Sequence, residues 1–122
     1  MEISKYSEKR FYGIARYWDV DREYSEPMFN YLVYGISPGS FFTYVLANDW
    51  ANAILSSHPS NNILSLKTLT KWMINCMPYE ARGNPENVQR WLCMSNEERR
   101  AILEDHGLIL SAQDETWAAL NS

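Results

Sequence analysis

The side chains able to do chemistry in this chain of 122 residues are few and scattered. His58 and His106 are its histidines, Cys76 and Cys93 its cysteines. The cysteines form no C-x-x-C pair and have no His or Cys neighbour at zinc spacing, so no metal site is assigned. His106 follows Glu104 and Asp105 without the E-x-x-H spacing of a carboxylate–histidine metal site. A Cys93–His106 pair has the residue types of a nucleophile and its base, which need not be close in sequence. The plainer reading makes His106 a cation at a helix C-terminus and His58, ahead of Pro59, a solvated turn residue. The turn Pro38-Gly39-Ser40 has the beginnings of a phosphate cradle, but it lacks a second glycine and a following lysine. No phosphate-binding, dinucleotide, zinc-protease, nucleophile-elbow or calcium-loop motif occurs. The expectation is therefore a protein with no catalytic residues, no metal and no cofactor.

Hydrophobic residues make up 46% of the chain and charged residues 21%, which is enough apolar material for one core and excludes a disordered chain. That core leaves the two thiols reduced and, on the usual placement of free cysteine, buried. No signal peptide is visible, and the apolar runs fall short of the ~20 residues of a membrane span. These features place the protein in the cytoplasm, with no membrane partner.

Pro, Gly, Ser and Asn cut the chain into short helical pieces. Residues 5–18 are read as a helix on which 11, 14 and 18 share a face, although the aromatic run 11–18 also suits a strand. Ser25-Glu26-Pro27 reads as a helix start, followed by Met28, Phe29, Leu32 and Val33 on one face and Gly35 as C-cap. Ser37-Pro38 repeats the start signal. Phe42, Val45, Leu46, Trp50, Ala53 and Ile54 then form one continuous stripe about four turns long. After a loop at His58–Asn62, a helix over 62–77 runs to Pro78, with a turn around Gly83. Asn84-Pro85-Glu86 opens a short helix, Ser95 and Glu98 form a capping box, and a last helix starts near Ser111. The fold class is mainly α: a single domain over 1–122, an irregular or orthogonal bundle of six or seven short helices, with 1–24 the segment hardest to assign.

Charge is segregated. Residues 1–24 balance Lys5, Lys9, Arg10, Arg16 and Arg22 against Glu2, Glu8, Asp19, Asp21 and Glu23. The net charge of −4 sits beyond residue 95, where Glu97, Glu98, Glu104, Asp105, Asp114 and Glu115 face only Arg99 and Arg100. Basic residues interleaved with aromatics suit single-stranded nucleic acid, yet the zero balance of 1–24 argues against direct binding. Tyr31 and Tyr34 project away from the Met28/Phe29/Leu32/Val33 face, and aromatics left at a surface anchor protein–protein interfaces. Candidate partner-binding residues are these two tyrosines and the six C-terminal acids. The plain alternatives are core-edge cover for the tyrosines and a solvated helix face for the acids.

The stretch from Tyr31 to Trp91 resembles a recurrent family of small proteins encoded by bacteriophages and prophages. The matching positions are Gly35, Ile36, Pro38, Gly39, Phe41 or Phe42, Val45, Leu46, Asn48, Asp49, Trp50, Pro78, Gly83, Pro85, Val88 and Trp91. That is half the chain; the flanks 1–24 and 95–122 have no counterpart. The resemblance supplies no catalytic residues. It implies a setting in a bacterial host cell, and a phage accessory or anti-defence protein that binds a host protein or nucleoprotein complex stoichiometrically, an anti-CRISPR-like inhibitor being the concrete version. The C-terminal acids would then face a basic groove on that partner, and homodimerisation stays open. The runner-up functions are a small nucleic-acid-binding regulator, with Lys67, Lys71, Arg82 and Arg90 as its phosphate contacts, and a small-ligand or nucleotide-binding protein walled by Asn48, Asp49 and Pro38–Ser40.

Overall fold

Side-chain caps decide where most of the helices begin. The computed structural model describes residues 3–56 and 63–122, and within them Ser4, Asn84, Ser95 and Ser111 each accept a hydrogen bond from the amide three residues on. The helices are α1 (Lys5–Tyr17), α2 (Arg22–Tyr34), α3 (Ser40–Leu46), α4 (Trp50–Ser56), α5 (Ile63–Cys76), α6 (Pro85–Cys93), α7 (Asn96–Asp105) and α8 (Ala112–Leu120). A 3-10 turn, Tyr79–Ala81, links α5 to α6. No strand occurs among the described residues, so the aromatic run 11–18 is helical, and the mainly α class holds with eight helices in place of six or seven. The expected loop at His58–Asn62 lies outside the described residues.

Two element boundaries differ from expectation. The second helix starts at Arg22 behind Asp21, which leaves Ser25 buried and Pro27 inside the helix. Pro27 lies in the second turn, where its missing N–H leaves a carbonyl on an exposed residue, Glu23, for water to satisfy. The stripe from Phe42 to Ile54 is two helices, because Asn48 adopts a left-handed conformation (φ 63°). There Asp49 N donates to Tyr44 O (2.8 Å) and Asn48 N to Val45 O (3.2 Å), the bond pair of a Schellman ending. Helical periodicity continues across such a break, which is why the apolar pattern hides it. The same ending closes α1 at Asp19 (φ 61°) and α7 at Gly107 (φ 73°).

The core gathers aromatics from four helices. Phe11 meets Phe29 and Trp72 edge-on, at centroid distances of 5.1 and 5.7 Å. Trp91 and Tyr31, both fully buried, tie the middle of the chain together. Trp91 Nε1 donates to Tyr31 O (3.2 Å), and Tyr31 Oη donates to Ala81 O (2.7 Å). Burying side chains of this size contributes roughly 3 kcal/mol each, and a polar tip with a partner removes the penalty of dehydrating it. Around this centre α3 packs on α4, α2 on α7, and α1 on both α2 and α8.

Among the described residues Arg99 is the one charged side chain buried with the core, at 4% exposure. Its guanidinium donates to Val33 O at the end of α2 (3.3 Å), to Trp91 O at the end of α6 (3.3 Å), to Met94 O and to Asn96 Oδ1. Desolvation lowers its pKa, with Glu97 and Glu98 pulling the other way. Two helix C-termini, each the negative end of a dipole, thus share one cation. Gly35 belongs to the same arrangement. It takes φ 67° to end α2, and a Cβ there would stand 2.6 Å from Arg99 Nη1.

Replacing Tyr31 with Phe removes the hydroxyl that donates to Ala81 O and leaves that buried carbonyl without this donor. We expect a loss of about 1–2 kcal/mol with an unchanged helical spectrum, measured by urea denaturation at constant slope.

Candidate functional site

Most of the residues that stood out in the sequence build the fold. Gly35 ends α2, Gly39 (φ 93°) precedes α3, and Gly83 (φ 106°) donates its amide to Leu46 O (2.7 Å). Val45, Leu46, Val88 and Trp91 are core, and Pro85 opens α6. Asn48 Oδ1 accepts from Trp50 Nε1 (2.6 Å), while Asp49 binds Asn52 Nδ2 (2.8 Å) and starts α4. The proposed walls of a small-ligand site are therefore already engaged as helix caps. Cys93 Sγ accepts from Gln89, and His106 Nδ1 lies 3.0 Å from Ile102 O, so each half of the Cys93–His106 pair has another partner. Cys93 is exposed and Cys76 half-buried, which corrects the expectation of two interior thiols; burial raises the pKa of Cys76. Among the described residues no group of three or more His, Cys, Asp and Glu is placed to hold a metal ion.

The tyrosines part company with the sequence reading. Tyr31 is fully buried, and burial pushes its phenol pKa up. Tyr34 is half-buried, packs edge-on to Phe29 at 6.0 Å and accepts from the Ile3 amide at 3.4 Å. Neither projects into solvent as an anchor. The cause is that α2 is covered on more than one side, by α1 and α7, so residues off its main apolar face still meet protein.

The six acids divide. Arg100 Nε binds Glu104 at 2.9 Å, and its other arm binds Glu115. Glu115 also accepts from Ser4 N (3.1 Å), Ser4 Oγ and Ser7 Oγ (2.9 Å), so it clasps α8 to the start of α1. Glu98 closes the capping box with Ser95. Glu97, Asp105 and Asp114 are exposed and remain open to a partner. Arg10 Nε reinforces the clasp by donating to Gly107 O (2.6 Å), as does Leu110 N to Ser7 Oγ (3.0 Å).

Two of the surface grooves among the described residues bear on function. The first, about 380 Å³, runs between the α3–α4 turn and α5, with Leu46, Trp50, Met73 and Ile74 as its apolar lining and Asn48 and Arg82 at its polar edge. Arg82 donates to Ile74 O (3.1 Å) and Met77 O (3.4 Å), which caps α5 and turns it away from a role in phosphate contact. The second, about 400 Å³, lies along α1 between Lys5, Lys9, Tyr12, Gly13, Arg16 and Arg22. Exposed apolar side chains are numerous: Ile54, Leu55, Leu64, Ile74, Trp117 and Leu120 are each more than half exposed. No helix among the described residues is long and apolar enough to cross a membrane. No known protein family, curated protein or solved structure matches the chain.

Burial by itself would raise the Glu115 carboxyl, but the Ser4 and Ser7 hydrogen bonds and the Arg100 charge outweigh it and hold the pKa below 4.5. A depressed carboxyl stabilises the fold above its unfolded pKa, and that contribution is lost as pH falls from about 4.5 through the lower folded value. Glu115→Gln is expected to cost about 1–2 kcal/mol at pH 7 and to flatten the stability profile below pH 4.5. Thermal melts across that range check both.

Proposed function

We propose that the protein is a phage-type accessory or anti-defence protein, cytoplasmic in a bacterial host, that works by stoichiometric binding to a host protein or nucleoprotein complex. An inhibitor of the anti-CRISPR kind is the concrete form. The carrying observation is apolar surface left outside the core: the Trp50 groove with the exposed Ile74 on its wall, together with Ile54 and Leu55 near the end of α4 and Leu64 at the start of α5. Surface of this kind on a small domain is what a protein interface covers. A half-buried Trp beside an open groove has the character of a binding hot spot, being rigid and amphipathic. The resemblance over Tyr31–Trp91 supports the phage setting, and its motif residues shape the groove through Leu46, Asn48, Trp50 and Gly83.

Electrostatics play a smaller part in this reading than the acid count implied. Glu97, Asp105 and Asp114 can steer a basic partner, whereas Glu98, Glu104 and Glu115 are held by the fold. Tagged protein incubated with host lysate should retain one host complex at stoichiometric yield after nuclease treatment. Ile74→Asp, a change at an exposed position, should reduce that retention at least tenfold with the melting temperature unchanged. Retention equal to wild type would remove the groove from the interface, and no retained complex would overturn the reading.

A further inference from the structure

The basic residues of the first helix form a surface that the segment's zero net charge conceals. Lys5, Lys9 and Arg16 line one stripe of α1, and Arg22 from α2 completes the groove. Its lining holds these four cations against one acid, Glu8. Of the acids that balance them in the sequence, Asp19 borders a separate hollow with Tyr24 against Leu64 and Leu69 of α5, while Asp21 lies at the groove's far edge beside Arg16 and Arg22. Arg10, grouped with these bases by sequence, leaves the stripe to bind Gly107 O. Lys9 and Arg16 are exposed. By contrast, Arg82, Arg99 and Arg100 are committed to carbonyls or carboxylates within the fold.

Gly13 is the second observation. It sits in the interior of α1, exposed, between Lys9 and Arg16 in the groove lining. Glycine in a helix interior is destabilising relative to alanine, through chain entropy. Here neither conformation nor packing calls for it: the helix is regular, and a Cβ at this position would meet nothing within 4 Å. What glycine does supply is a bare floor, where a ligand can come close to the helix backbone between flanking cations.

Tyr12 and Arg22 give the groove a stacked end. The Arg22 guanidinium lies 3.8 Å from the Tyr12 ring centroid, its Nε 3.6 Å from Glu26 Oε2. The ring is packed against Phe11 and Phe29 as well, so the plate offered to solvent is the outer face of the guanidinium. A planar guanidinium held in this way accepts a nucleobase on its free face.

We propose that this groove binds the phosphodiester backbone of a single nucleic-acid strand. From Lys5 to Arg16 the stripe extends about 16 Å at the helical rise, too long for one phosphate to span and suited to a short row of them. A single strand fits better than a duplex, because the cations form one short stripe and the chain carries a net charge of −4, which disfavours the broad field of a duplex. The groove shares no lining residue with the Trp50 groove, so the proposal stands apart from the protein-binding reading. If the partner is a nucleoprotein complex, this is the surface that meets its exposed strand.

Fluorescence anisotropy with a labelled oligothymidylate of about a dozen nucleotides tests it. Micromolar binding is expected at about 20 mM salt, falling with a log–log salt slope near −2, as about three phosphate contacts on a single strand require. Lys9→Ala with Arg16→Ala should weaken binding at least tenfold and reduce the slope to about −1 or less. Gln113→Ala, at an exposed position on α8 outside the groove, should leave both unchanged. Gly13→Ala should raise the melting temperature and weaken binding at the same time, opposite directions that a merely structural residue would not give. The proposal is overturned by no anisotropy change at low salt, by equal loss in Gln113→Ala, by equally effective competition from polyglutamate, or by Gly13→Ala binding as wild type does.

Discussion

One buried cation holds the C-terminal ends of two helices in this protein. Taking a guanidinium out of water costs several kcal/mol even after the surroundings relax, and Arg99 recovers that through hydrogen bonds to Val33, Trp91, Met94 and Asn96. A lysine could not take its place, since a single ammonium cannot present the planar fork that reaches acceptors on three helices. The consequences spread outward. With the guanidinium in position, residue 35 has room for no side chain, so α2 ends in a glycine and the chain leaves in the left-handed turn that leads to α3. With α6 fixed, Trp91 reaches Tyr31, and Tyr31 reaches the 3-10 turn. The second tie, Glu115 with Arg100, Ser4 and Ser7, joins the two ends of the chain in the same manner, by one ionic group with several donors.

Signals that act locally were legible in the sequence. Ser95 with Glu98, Asn84 with Pro85, and Gly35 fix helix ends through bonds spanning a few residues, and the residue types carry that information. The break at Asn48 was not legible, since asparagine tolerates a left-handed turn without demanding one and the apolar spacing runs on across it. Nor was the helix start at Asp21, because a proline one and a half turns in looks like a first-turn proline.

The candidate surfaces were less legible than the fold, for one physical reason. Exposure and pairing are properties of tertiary neighbours. Tyr31 lies off the main apolar face of its helix, yet a second layer of helices buries it. Glu104 and Glu115 counted as free acids until Arg100 was placed between them. Segment charge misled in the opposite sense around α1, where a sum of zero hides a groove lined by four bases and one acid. Much of the family-like motif is architecture: glycines at turns, caps at helix ends and Trp91 at the centre.

The central claim is that Arg99 and Gly35 act as one unit around which α2, α6 and α7 are set. A double-mutant cycle by urea denaturation, using Gly35→Ala, Arg99→Met and the pair, tests it most directly. Each single change should cost about 2–3 kcal/mol, through strain and collision for the first and through orphaned carbonyls for the second. The pair should cost at least about 1 kcal/mol less than the sum, because the flexible thioether yields where the guanidinium cannot. Additivity within about 0.5 kcal/mol would contradict the account.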